Sequence, residues 1–177
     1  MSLNMPVITD LSAMLCLYVF TLFPRWKKQG ADMLVIRTLM YVHFAAVLYL
    51  TLMPVLAALP FIGEDARSPM NTIPFIDVRL QRGDYMRQIA LNTLMLLPYG
   101  FLRPLTKERF CFFGTVLRAF LISLTIEFLQ PHFGRTADVT DLITNTAGVA
   151  AGYVISACLR PMTGTVLKLM NKERGFT

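Results

Sequence analysis

The chain has 177 residues, 55% of them hydrophobic and 16% charged, with a net charge of +6 at pH 7. A mean hydropathy of +0.53 and a charged fraction well below the roughly 25% of globular chains exclude an ordinary soluble domain and point to a bilayer. The basic residues fall in short clusters between apolar runs, as orientation signals and anionic-lipid contacts do, and this argues against nucleic acid as a partner.

Five apolar stretches approach the roughly 20 residues that a helix needs to cross hydrocarbon. The first covers 7–23. No Lys or Arg precedes it and Arg25-Trp26-Lys27-Lys28 follows it, the reverse of a cleavable signal, so it is expected to stay as a span. The second covers 34–59, with Pro54 and Pro60 at its outer end. The third, 85–102, is the weakest, since it contains Asn92, Pro98 and Gly100. Pro98 cannot donate to the Leu94 carbonyl, which predicts a kink or break, and a re-entrant segment here would leave four spans. The fourth covers 110–130 and the fifth 141–159.

Between the second and third spans, Gly63, Pro69, Pro74 and Gly83 mark an ordered outer loop over 60–84. After the fifth, Val166, Leu167, Leu169 and Met170 alternate with Lys168, Lys172 and Arg174, so 161–177 reads as an interfacial helix on the inner leaflet. The expected architecture is an all-α, polytopic membrane bundle of about five spans forming one domain over 1–177.

With the N-terminus outside, ten Lys and Arg, including Arg103, Lys107, Arg109 and Arg160, fall inside. Five, namely Arg67, Arg79, Arg82, Arg87 and Arg135, then fall outside. That bias predicts N-outside, C-inside. Cys16, Cys111 and Cys158 lie in apolar stretches without metal spacing and read as small buried hydrophobes. His43 stands alone in the second span and His132 has no His or Cys beside it, so neither a metal site nor a cofactor is expected.

Polar residues inside the spans carry the functional signal, because a charge in lipid is costly unless paired, hydrated or protonated. Ser123, Glu127 and Gln130 are spaced four and three apart and share one helical face. Asp141, Asn145, Gly148 and Gly152 share another. Asp138 followed by Asp141 resembles an N-cap with an acid in the first turn, and Gly148-xxx-Gly152 a close-packing motif. Asn92 on the third span reads as interhelical glue or as part of a pocket. Under the charge-derived topology Asn92, Glu127, Gln130, Asp138, Asp141 and Asn145 all reach the outer side. Arg135, with Arg79, Arg82 and Arg87, is available there as a cation for Glu127 or Asp138, for a phosphate or carboxylate of a ligand, or for lipid headgroups.

These residues resemble a known family. Asn71-Thr-Ile-Pro74-Phe75, Asn92 followed by Leu97-Pro98-Tyr99-Gly100, Ser123 to Gln130, and Arg135-Thr-Ala-Asp138-Val-Thr-Asp141 with Asn145 and Gly148 are similar to the VanZ-like bacterial membrane proteins. The similarity runs over about 71–152, and Tyr99 stands where the family usually has Phe. It implies a multi-pass bacterial cell-membrane protein associated with glycopeptide resistance, to teicoplanin more than vancomycin, without replacement of D-Ala-D-Ala.

Three functions follow as expectations. The first is binding, by the outer cluster, of teicoplanin or a lipid-linked peptidoglycan precursor, with membrane lipids as the other partners. The second is an intramembrane enzyme acting on a polyprenyl or lipid headgroup through Glu127, Asp138 and Asp141. No Gly-x-Ser-x-Gly, His-Glu-x-x-His or P-loop motif supports it. The third is a small lipid transporter, against which stands the lack of an inverted repeat.

Overall fold

The protein is seen in a computed structural model that describes residues 5–58, 70–106 and 111–173. Pro60, Gly63, Arg67 and Pro69 of the outer loop, Lys107, Arg109 and residue 110 of the next connection, and Arg174 lie outside the described residues.

Helix α1 (Met5–Leu17) continues through a π-helical turn at Tyr18–Leu22 into α2 (Phe23–Lys27). Pro24 has no N–H for the Phe20 carbonyl, and the Phe23 amide reaches back five residues to Tyr18. Helix α3 (Ala31–Thr51) stops before Pro54, and the short α4 (Val55–Ala58) follows. The second span is therefore shorter than the expected 34–59, because Pro54 cannot extend the helical hydrogen bonding. The Asp10 carboxylate, buried within α1, accepts from the Val55 and Leu56 amides and caps α4.

Beyond the loop lie α5 (Ile76–Leu80), α6 (Tyr85–Leu102), α7 (Phe112–Leu129) with a 3₁₀ turn at Gln130–Phe133, α8 (Val139–Cys158) and α9 (Arg160–Glu173). Helix α6 runs through Pro98 unbroken. Among the described residues there is no strand, only a parallel bridge between Asn71 and Asp138.

Met5–Lys27, Ala31–Thr51 and Phe112–Phe133 are long and apolar enough to cross a membrane, and α8 with α9, bent by 72°, makes a fourth if counted as one span. Among the described residues, length and composition thus give three or four spans where five were expected. Helix α6 falls short because Arg87, Gln88, Asn92 and Pro98 dilute its 18 residues. The perimeter suits lipid: Phe20, Phe113 and Phe128 are 79%, 81% and 72% exposed. The three cysteines also face outward, contrary to the buried reading, because an apolar surface costs nothing in hydrocarbon.

Contacts between helices fix their relative directions. The Tyr41 hydroxyl donates to the Met14 carbonyl, while Asp10 reaches Val55, so α1 and α3 run antiparallel. Asn145 donates to Ser123, and the Asp138 amide to Glu127, so α7 and α8 are antiparallel too. Helices α6 and α8 run parallel and touch through backbone. A Cβ on Gly148 would enter the Thr93 carbonyl, one on Gly152 the Leu97 carbonyl, and one on Gly100 the Val149 carbonyl. Glycine is required at these positions because no other residue allows such an approach. Val47, Leu96, Tyr99, Ala119, Ile126 and Val149 fill the core around this pair.

This contact sets a clear expectation for stability. Gly148→Ala and Gly152→Ala should each destabilise by about 1–3 kcal/mol through overpacking. Gly164→Ala on α9, where a Cβ meets nothing within 4 Å, should be neutral or gain up to about 1 kcal/mol of helix propensity. Thermal unfolding of the three variants in one detergent distinguishes them, and equal melting temperatures would contradict the close contact.

Candidate functional site

Asp138 joins three parts of the chain at the head of α8. Its Oδ1 accepts from the Thr140 amide at 2.6 Å, which makes it the N-cap of α8 as expected. Its Oδ2 accepts from Asn71 Nδ2 at 2.8 Å, and its own amide donates to Glu127 Oε2 at 2.9 Å. The bridge beside it pairs the Asn71 amide with the Ala137 carbonyl and the Val139 amide with the Asn71 carbonyl. Phe75, held at φ 55, donates its amide to Thr140 Oγ1 at 2.9 Å. Asn71 and Phe75 thus position the acidic turn, while Pro74 is exposed one residue before.

A cavity of about 500 Å³ opens among α3, α6, α7 and α8. Six of the seven sequence-derived candidates line it: Asn92, Glu127, Gln130, Arg135, Asp141 and Asn145. Asp138 does not; it stands behind Glu127 and holds it. Glu127 and Asn145 are each 1% exposed. Asn145 Nδ2 donates to Ser123 Oγ at 2.9 Å, tying α8 to α7, and Gln88 Nε2 donates to Asp141 Oδ1 at 3.2 Å. Asn92 approaches Asp141, though its Nδ2 forms no well-aligned hydrogen bond. Pro98 is also in the wall, whereas Gly100, Gly148 and Gly152 act only through the α6–α8 contact.

Among the described residues the expected arginine partner is absent. Arg87 and Asp84 pair at 4.0 Å, both exposed, and among the described residues no ion pair involves Glu127, Asp138 or Asp141. Amides replace the guanidinium: Asn71 and Thr140 satisfy Asp138, and Asp138 in turn satisfies one oxygen of Glu127. Arg135 is exposed at the rim, where it also lines a second hollow of about 360 Å³ with Gln88, Gln130 and Asp141.

A sequence model of the VanZ/LLP1 family matches residues 11–160. The chain belongs to the VanZ/LLP1 family. That match reaches well beyond the resemblance read over 71–152 and takes in α1 and α3. At the family level VanZ-like proteins are linked to glycopeptide resistance. No curated protein and no solved structure matches the chain significantly.

Among the polar residues of the cavity wall, His43 and Thr51 were not foreseen. His43, read as solitary in the second span, faces the same cavity as Asn92 and Glu127, and its Nε2 is buried without a partner. The only sequence signal for it was the cost of an imidazole in mid-span, which makes such a residue a default site candidate. Among the described residues no group of three His, Cys, Asp or Glu is placed to hold a metal ion. The arrangement offers hydrogen-bond acceptors at one end of an apolar cavity.

If Asp138 is the tie described above, Asp138→Ala should destabilise by about 1–3 kcal/mol, since a cap and the Asn71 partner go together. Asp138→Asn, which keeps an oxygen for the Thr140 amide, should lose less. Denaturation in detergent, followed by circular dichroism, measures both; an unchanged alanine variant would contradict this role.

Proposed function

We propose that this VanZ/LLP1 protein is a multi-pass protein of the bacterial cell membrane that binds an amphiphile of the outer leaflet, either teicoplanin or a lipid-linked cell-wall precursor. In this reading all five apolar segments cross the bilayer, with the N-terminus and the acidic turn outside and α9 on the inner surface. The alternating helix directions and the excess of Lys and Arg on the opposite side support that topology. Helix α6 crosses despite its polar content because its backbone is covered by α8.

The observation that carries the proposal is the two-part character of the cavity. Glu127, Asn145, Gln130 and Asp141 form one end, while Ala46, Val47, Leu91 and Met95 belong to an apolar wall. Leu50, Leu91 and Leu94 line it and are also 52%, 54% and 59% exposed, so the wall reaches the lipid-facing perimeter. An amphiphile can enter sideways, with its chain along the wall and its polar part at the acceptors. The volume suits one chain and a small polar group, so the rest of a large ligand stays outside. Teicoplanin carries an acyl anchor that places it at this depth and vancomycin does not, which gives a physical reason for discrimination between them.

Binding to the purified protein in lipid nanodiscs tests this. Teicoplanin or lipid II should bind saturably, vancomycin about tenfold or more weakly, and Ala46→Trp, which fills the cavity, should abolish binding while the protein stays folded. Absence of saturable binding by both ligands would overturn the proposal. So would turnover of labelled lipid II that disappears in Glu127→Gln, since that would make the site catalytic.

A further inference from the structure

The polar end of the cavity has acceptors in excess of donors. Glu127 and Asp141 bring two carboxylates, and among the described residues no cation pairs with either. Asn145 and Gln130 are 1% and 7% exposed, and each keeps a side-chain oxygen, Oδ1 and Oε1, without a donor. These two buried amides are independent of the acidic cluster and aim into the same space. An orphaned buried acceptor costs about 1–3 kcal/mol, and a buried carboxylate without a counter-charge costs more. The side-chain nitrogens that can donate are few: those of Asn92, Gln130, His43 and, at the exposed rim, Arg135.

We infer that the polar end of the cavity binds the primary ammonium group of an amphiphile, with Arg135 at the mouth holding a neighbouring phosphate. This rests on the reading of the cavity as an amphiphile site. A primary ammonium brings three N–H donors and one positive charge, which answers both the carboxylates and the amide oxygens. Other headgroups answer only part of the demand. A quaternary ammonium has the charge but no N–H, a sugar has donors but no charge, and a phosphate brings only acceptors of the wrong sign. Arg135 is the one cation in the cavity wall, and its guanidinium suits the phosphate of the same headgroup. Such an ammonium is present in aminophospholipids and can also be carried by an antibiotic or by a precursor peptide.

Native mass spectrometry of the full chain, with short-chain lipids added, measures the selectivity. Phosphatidylethanolamine should be retained about tenfold or more over phosphatidylcholine, phosphatidylglycerol and a glucosyl diacylglycerol. Glu127→Gln and Asp141→Asn should remove that preference with the thermal unfolding curve retained. Arg135→Ala should weaken phosphatidylethanolamine but leave dodecylamine, which has no phosphate, unaffected. Equal retention of phosphatidylcholine or of the glycolipid would overturn the assignment, as would a preference that survives both carboxylate variants. Displacement of phosphatidylethanolamine by teicoplanin or lipid II would identify those as carriers of the ammonium at the same site. If teicoplanin or lipid II binds and the lipids are not discriminated, the proposed function stands and the ammonium assignment fails. If phosphatidylethanolamine is selected and neither of the others binds, the reverse holds.

Discussion

Helices α6 and α8 meet backbone to backbone, with Gly148 on Thr93, Gly152 on Leu97 and Gly100 on Val149. That proximity lets α6 be covered by protein although Arg87, Gln88, Asn92 and Pro98 make it the least apolar of the long helices before α8. It also brings Asn92 beside Asp141 and Asn145 in one wall. Helix α7 then lies antiparallel to α8 and contributes Glu127 one turn from Ser123. Close approach leaves no room for side chains between α6 and α8, so the open volume lies toward α3 and α7.

The same end of the bundle solves the problem of burying acids without recruiting bases. Asp138 is satisfied by two amides from outside its own side chain and passes its backbone N–H to Glu127. Amide donors stabilise a carboxylate while leaving the local charge negative, whereas a paired arginine would cancel it. The net result is a cavity with carboxylates that no described cation pairs with and with amide oxygens that lack donors. This links the packing of the helices to the proposed binding role.

Much of the fold was legible because hydrophobic length is a strong signal in a bilayer: four of the five apolar runs appear as helices within a few residues of their expected limits, and the second ends early, at Thr51, ahead of Pro54. Helical spacing also placed Glu127 with Ser123, and Asp141 with Asn145, correctly on shared faces. Other features depend on contacts distant in sequence. The Asn71–Asp138 bond joins residues 67 apart, and nothing local announces it. His43 and Asp10 carry no motif, so only the packing of their helices gives them partners or a cavity. The cysteines were misplaced for a different reason: in lipid the outside of a bundle is as apolar as the inside, and hydropathy cannot tell the two apart. Arg135 was given a carboxylate partner on sequence proximity, yet the turn at Gly134, with φ 73, leaves it exposed at the rim.

The central claim is that the space among α3, α6, α7 and α8 is an amphiphile site open to the leaflet. An electron cryomicroscopy map of the protein in a lipid nanodisc with bound teicoplanin examines it directly. Density for a chain along Val47, Leu91 and Met95, ending in a polar group beside Glu127 and Asn145, is the result expected. Density confined to other parts of the bundle, with side chains closing the space beside Glu127, would contradict it.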